Sequence, residues 1–153
     1  MKALELRIPP AVVALIAAIG IWLLSGWTPF LAIDFPLRKP LAVLLALCGG
    51  LSGFVGIFGF RVAHTTVDPL YPATARALVT GGIYRYTRNP MYVGIVLILL
   101  AWVVFLGNFL SLVMVGLFVT YMNRFQILPE EKALTEKFGD QYRQYRQQVR
   151  RWI

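Results

Sequence analysis

At 153 residues the chain has the length of a single domain. Hydrophobic residues make up 58% and charged residues 14%, well away from the roughly 45–50% and about 25% of soluble globular domains, so a soluble globule and a disordered chain are both excluded in favour of an integral membrane protein. The formal charge is +8, from 15 Lys/Arg against 7 Asp/Glu; the cations lie between long apolar runs, a placement that attraction to an anionic membrane face explains better than nucleic acid does.

Pro9 and Pro10 suit the first turn of a helix, where the missing N–H has no partner to lose. The apolar run that follows predicts a first span over about 8–25, close to the ~20 residues a bilayer requires. Lys2 and Arg7 precede it as in a signal peptide. Trp27, Thr28 and Pro29 follow in place of a small-residue cleavage site, so the expectation is a retained helix. A second span is predicted over about 40–60, after a short loop carrying Asp34, Pro29 and Pro36. Its second half holds Gly49, Gly50, Gly53, Gly56 and Gly59, small residues that let helix backbones approach closely in lipid. Cys48, the single cysteine, lies within this run; no intramolecular disulfide or cysteine metal site is possible, and it reads as a small packing residue.

Residues 61–89 form a long polar connection with turn signals at Asp68-Pro69, Tyr71-Pro72 and Gly81-Gly82. His64, the one histidine, has no companions for a metal site and reads as a solvated or interfacial side chain; no metal is expected. A third span over 91–106 and a fourth over 109–123, joined at Gly107-Asn108, make an antiparallel hairpin. From Arg124 the chain turns polar. Leu134, Phe138, Tyr142, Tyr145, Val149 and Trp152 recur on one face of a helix, with Lys137, Arg143, Arg146 and Arg150 on the other. Such a helix suits the membrane surface or a fold back over the hairpin to close a pocket.

The fold class predicted is therefore all-α: one polytopic membrane domain over 1–153, with four spans and a C-terminal amphipathic cytoplasmic helix in the segment 124–153. The 61–90 connection and the segment from 124 onward each carry a net +3. A two-pass hairpin places them on the same side, and positive segments stay in the cytoplasm, so both termini are expected inside a bacterial or archaeal inner membrane.

The densest polar stretch runs from Gly81 to Gly94, reading GGIYRYTRNPMYVG. Arginines at a membrane entrance are costly without partners and mark a candidate site, although a basic, aromatic anchor has the same composition. Gly82-x-Tyr84-x-x-x-Arg88-Asn89-Pro90-x-Tyr92-x-Gly94 is followed by the apolar hairpin, then Glu130-Glu131, then Phe138-Gly139-x-x-Tyr142-x-x-Tyr145 and Val149-Arg150-Arg151-Trp152. In this order the segments resemble the isoprenylcysteine carboxyl methyltransferase and phospholipid methyltransferase superfamily, small integral membrane enzymes that use S-adenosylmethionine. The resemblance covers the chain from Thr65 onward. One departure is Asn89, where the eukaryotic carboxyl methyltransferases have histidine.

The resemblance implies a cofactor held by Tyr84, Arg88, Asn89, Pro90, Tyr92, Gly94, Glu130 and Glu131, with the tail folded across it. Arg88 suits the cofactor carboxylate and Glu130 or Glu131 its amino group. Arg151 and Glu131 are the candidate catalytic groups. The implied acceptor is lipophilic and enters from the bilayer. An amine acceptor would need a nearby base, a carboxylate would meet an arginine such as Arg151, and the chain holds both. No glycine-rich dinucleotide fingerprint follows a strand, which excludes a Rossmann methyltransferase. The reading from another class is a non-catalytic membrane protein that binds anionic lipid, with Glu130-Glu131 as acids in the first turn of a helix.

Overall fold

The computed structural model describes residues 5–66, 68 and 70–153; Lys2 and the Pro69 of the Asp68-Pro69 turn signal lie outside the described residues. Proline at the first turn opens α1 (Pro10–Trp27) and α3 (Pro90–Leu106), and α2 (Arg38–Val62) is the longest uninterrupted α-helix. The fourth long element is continuous: a short 3₁₀ turn, α4 (Leu112–Tyr121), a π-helical turn (Met122–Ile127) and α5 (Leu128–Phe138) follow one another from Phe109. A last helix, α6, covers Asp140–Gln148. No strand is present among the described residues, only an isolated bridge between Ala32 and Asn108.

The expected fold class is the observed one, an all-α polytopic membrane protein. α1, α2 and the 30-residue stretch Phe109–Phe138 are long and apolar enough to cross a membrane, and α3 is a shorter apolar helix. Large apolar side chains, Leu15, Trp22, Leu47, Leu51 and Phe54 among them, project outward from α1 and α2. So extended an apolar exterior is tolerable only against lipid. Cys48 also lies on this outer surface rather than in a packed interface.

The main core is shared by three helices. Val13, Ala17 and Ile21 of α1, spaced four apart, meet Leu99 and Val103 of α3 and Val115, Phe118 and Met122 of the fourth helix. α2 stands outside this core and packs chiefly on α3. Its glycines make that possible. A Cβ built on Gly94 would lie 2.6 Å from the Gly49 carbonyl oxygen, and one on Gly49 would lie 2.7 Å from the Gly94 carbonyl oxygen. Lipid supplies no hydrophobic drive for helix association, so close backbone contact and the Ser52 Oγ to Pro90 carbonyl bond, at 2.8 Å, carry the crossing. Gly94→Ala is accordingly expected to destabilise the protein by ~1–3 kcal/mol, the usual cost of overpacking. Gly50→Ala, whose Cβ meets nothing within 4 Å, is the matched control. Equal unfolding midpoints in detergent for the two variants would refute this account of the crossing.

The ends of the helices pair off. Ile33 N–H donates to the Gly107 carbonyl at 2.8 Å and the buried Asn108 amide donates to Thr28, so the α1–α2 loop meets the α3–α4 turn. At the opposite end Leu6 N–H donates to the Phe125 carbonyl, and Arg88 N–H to the Arg150 carbonyl, each at 3.0 Å. The N-terminal segment, the 61–89 connection and the C-terminal tail therefore share one end of the bundle.

Two sequence expectations need correction. The fourth helix does not stop near residue 123 but runs on to Phe138, because Pro129 is absorbed rather than acting as a stop. Proline cannot donate to the carbonyl four residues back. That carbonyl belongs to Phe125 and accepts from Leu6 instead, while the π-turn widens to bond Leu128 N–H to the Asn123 carbonyl. Glu130 and Glu131 thus lie within a continuous helix, with no free N-terminus for a macrodipole to act through. The tail, in turn, is not one helical face from 134 to 152. Gly139 takes a left-handed φ of +54° and separates α5 from α6, and Val149 is already extended. The stripe still packs together, since Leu134, Phe138, Tyr142, Tyr145 and Val149 form a second cluster over Leu78. Trp152 alone leaves it for the main core.

Candidate active site

Pro90 organises the site. A residue before proline is pushed out of the helical region, and Asn89 sits at φ −130°, ψ 54°. The short non-helical segment this creates is stitched to the tail. Arg88 N–H bonds the Arg150 carbonyl, and the Arg151 carbonyl accepts from the Asn89 amide at 2.9 Å and the Thr87 hydroxyl at 3.3 Å. Trp152 Nε1 donates to Asn123 Oδ1 at 3.1 Å and pins the far end of the strap.

These contacts bring two arginines onto one buried acid. Arg88 Nη2 lies 3.0 Å from Glu131 Oε1, and Arg151 reaches both carboxylate oxygens, with Nη2 to Oε2 at 2.7 Å and Nε to Oε1 at 3.0 Å. Glu131 is 5% exposed. A bidentate Arg–carboxylate pair is among the stronger polar contacts available, and the Glu131 hydrogen bond raises the Arg151 pKa further, so that side chain is permanently charged. Arg88 makes no such closed set. Its Nε and Nη1 are buried and have no hydrogen-bond partner.

Glu130, one residue earlier, turns a different way. Its Oε1 accepts from the Tyr92 hydroxyl and from the Gln126 amide, so acids adjacent in sequence occupy separate networks. Gln126, Glu130 and Leu134 recur at four-residue spacing and share a helix face.

Both networks open into one cleft with about 810 Å³ of empty space, its open mouth included. Arg88, Asn89, Glu130 and Glu131 supply its polar wall; Phe60, Leu78, Val79, Met91 and Leu134 supply its apolar wall; Tyr84, Tyr142 and Tyr145 close it from the tail side. Burial, and then the charge of Glu131, pushes the Tyr142 pKa up to about 12. Burial and the neighbouring Tyr142 raise that of Tyr145. Both hydroxyls are therefore neutral; that of Tyr145 donates a hydrogen bond to the Tyr84 carbonyl at 2.8 Å.

Of the residues singled out in the sequence, Tyr84, Arg88, Asn89, Pro90, Tyr92, Glu130 and Glu131 line the cleft. Arg151 reaches it through Glu131, and Gly94 sits away from it in the α2–α3 crossing. Tyr142, Tyr145 and Gln126 were not singled out as site residues. The first two belong to the tail motif, and Gln126 precedes Glu130 by one helical turn, so spacing carried a usable signal.

A helical bundle with an apolar exterior and one cleft of mixed polar and apolar lining defines a polytopic membrane protein with a candidate site at one end. The chain belongs to the phospholipid methyltransferase family, whose family model matches residues 37–141, from the loop before α2 into the start of α6. It is a member of a family of integral membrane methyltransferases. Among curated proteins it is similar to an uncharacterized protein of Haemophilus influenzae, 52% identical over 63 residues that cover 41% of this chain and all of that one. The protein-S-isoprenylcysteine O-methyltransferase of Schizosaccharomyces pombe is 43% identical over 72 residues, 47% of this chain and 30% of that protein. The methanethiol S-methyltransferase 1 of Bradyrhizobium diazoefficiens is 25% identical over 134 residues, 80% of this chain and 46% of that protein. The chain thus spans less than half the length of either curated methyltransferase it matches. No solved structure matches it.

Proposed function

We propose that this chain is a single-domain, S-adenosylmethionine-dependent membrane methyltransferase that acts on a lipophilic acceptor, in the manner of an isoprenylcysteine carboxyl methyltransferase. The observation that carries the reading is Arg88, a buried guanidinium in the cleft wall with two nitrogens, Nε and Nη1, that have no hydrogen-bond partner. A buried unpaired donor is costly, and a ligand carboxylate is the group that relieves the cost. Glu130 lies in the same cleft and suits an ammonium, so the wall complements the zwitterionic end of the cofactor. Tyr84, Tyr142 and Tyr145 offer ring faces for an adenine or a sulfonium. When bound, the cofactor supplies an electrophilic methyl group on sulfonium sulfur. The chain's own part is to hold the two reactants in line, to exclude water with the tail, and to admit an apolar acceptor along Phe60, Val79 and Met91.

Calorimetry tests this. The purified protein is expected to bind S-adenosylmethionine in detergent, and Arg88→Ala or Glu130→Ala to weaken binding by ~1.5–3 kcal/mol, the range for hydrogen bonds to charged groups. Unchanged affinity in both variants would remove them from the site.

A second reading, an amine acceptor, is favoured by Glu130 itself. The Arg151 guanidinium is already committed to Glu131, whereas the half-buried Glu130 carboxylate lines the cleft and is a base for the proton an amine must lose before methylation.

The shared end of the bundle supports the topology. The two net +3 segments meet there together with the N-terminal segment, which favours a cytoplasmic location for that end and an inner-membrane protein with both termini inside. A reporter fused after Ile153 should read cytoplasm, and a periplasmic readout would overturn the orientation.

A further inference from the structure

Among the described residues the cations at the cleft end of the bundle differ in their partners, and Arg146 and Arg150 are exposed with no ion pair. On α5 and α6, Lys132 pairs with Glu136 and Arg143 with Asp140. Arg61, Arg76 and Arg85 are exposed, and no ion pair reaches any of them among the described residues. The sole acid of their connection, Asp68, turns its carboxylate to the Leu70 N–H at 2.9 Å.

The chain positions of these arginines are all tied to the end of α2. Arg61 lies in the last turn of α2. Arg76 is fastened just past that helix end, where Thr65 Oγ1 accepts from its N–H at 2.8 Å. Arg85 follows Tyr84, whose ring meets Phe60 edge-on at 5.3 Å and whose hydroxyl bonds the Gly56 carbonyl. One and two turns before the end of α2, the stacked pair Phe54–Phe58 projects outward, 67% and 57% exposed. Exposed arginines without ion pairs therefore follow an exposed apolar stripe at the end of α2, an order that suits a headgroup and an acyl chain.

We propose that the cytoplasmic end of α2 is a binding site for an anionic phospholipid, its headgroup phosphate held by Arg61, Arg76 and Arg85 and an acyl chain laid along Phe58 and Phe54. Clustered arginines offer planar donor forks that match a phosphate, and juxtamembrane cations bind anionic headgroups by Coulomb attraction. Arg61, Arg76 and Arg85 are not among the residues lining the cleft, although Phe60, Ala75, Ala77 and Tyr84 beside them are, and the site does not depend on the chain's methyl-transfer chemistry.

The test titrates the full chain, in neutral detergent, with phosphatidylglycerol, phosphatidylcholine or inorganic phosphate, and follows the midpoint of thermal unfolding. Phosphatidylglycerol is expected to raise the midpoint in a salt-sensitive way, and the other two to leave it in place. In R61Q/R76Q/R85Q the concentration needed for the response should rise on the order of 100-fold, about fivefold per cation near an anionic surface. R143Q/R146Q/R150Q, which removes the same charge from α6 and the tail, should respond as the wild type does. An equal response to phosphatidylcholine or inorganic phosphate overturns the proposal. So does a full response in the first triple variant, or a loss as large in the second.

Discussion

Glu131→Gln is expected to destabilise the protein by ~3–5 kcal/mol, because removing one member of a buried charge network leaves the rest uncompensated. Here two guanidinium groups are stranded. Arg151 is 29% exposed and hydrates in part, but Arg88 is 10% exposed and already carries two unpaired nitrogens. The penalty therefore falls mainly on Arg88, and the tail, which Arg151 helps to fasten, should loosen first. Two measurements check this: the unfolding midpoint in detergent, and the rate at which a protease cuts beyond Gly139. Arg88→Met placed on top of Glu131→Gln should recover part of the lost stability by removing the stranded charge. A Glu131→Gln protein with the wild-type midpoint and wild-type protease resistance would show that the network stabilises nothing.

Apolar run length made the membrane architecture legible before any coordinates, since no arrangement except spanning helices can bury such runs. Boundaries at Trp27, Val62 and Leu106 fall within a few residues of the expected spans, which end at 25, 60 and 106. The fourth helix defeated the reading for a physical reason. The chain turns polar at Arg124, which looks like an exit from the membrane, yet a π-turn and the Leu6 N–H together accommodate Pro129 and the helix continues. That compensation comes from a residue more than a hundred positions away, and no local window contains it. Glu130-Glu131 posed a related problem. Adjacent acids on a helix project about 100° apart, so the pair cannot act as one unit. Which acid met the arginines and which met Tyr92 depended on the tail's path past Arg88, a tertiary fact.

The tail's own period was visible, but its partner was not. Leu134, Phe138, Tyr142 and Tyr145 suit lipid as well as protein, and it is Leu78, in the irregular connection, that completes their cluster. With the apolar face so covered, α6 turns only its polar side outward: Arg143 and Arg146 are exposed, while Tyr142 is 3% and Tyr145 7% exposed. A helix bound to the membrane surface would keep its rings in the lipid. This one spends them on the cleft.

Deleting residues 139–153 is therefore expected to abolish S-adenosylmethionine binding while leaving the bundle inserted. The deletion removes Tyr142 and Tyr145 from the cleft wall, the Arg151 guanidinium from Glu131, and both tail carbonyls that bond the Arg88–Asn89 segment. The fully buried members of the main core, from Val13 to Ile127, all precede the cut, so the spans keep their packing. A cleft open on that side would fill with water, which screens the Arg88 charge and weakens every polar contact a ligand makes there. A shorter deletion, 149–153, keeps the two tyrosines but loses the arginine and the strap, and should weaken binding without abolishing it. Calorimetry in detergent, where anionic lipid is absent, separates a closing tail from a lipid anchor, since an anchor has no part in ligand affinity under those conditions. A truncated protein that stays folded and binds S-adenosylmethionine as tightly as the full chain would end the closing-tail account. Graded loss across the two deletions would place the tyrosine wall and the Arg151–Glu131 pair as separable contributors to the same site.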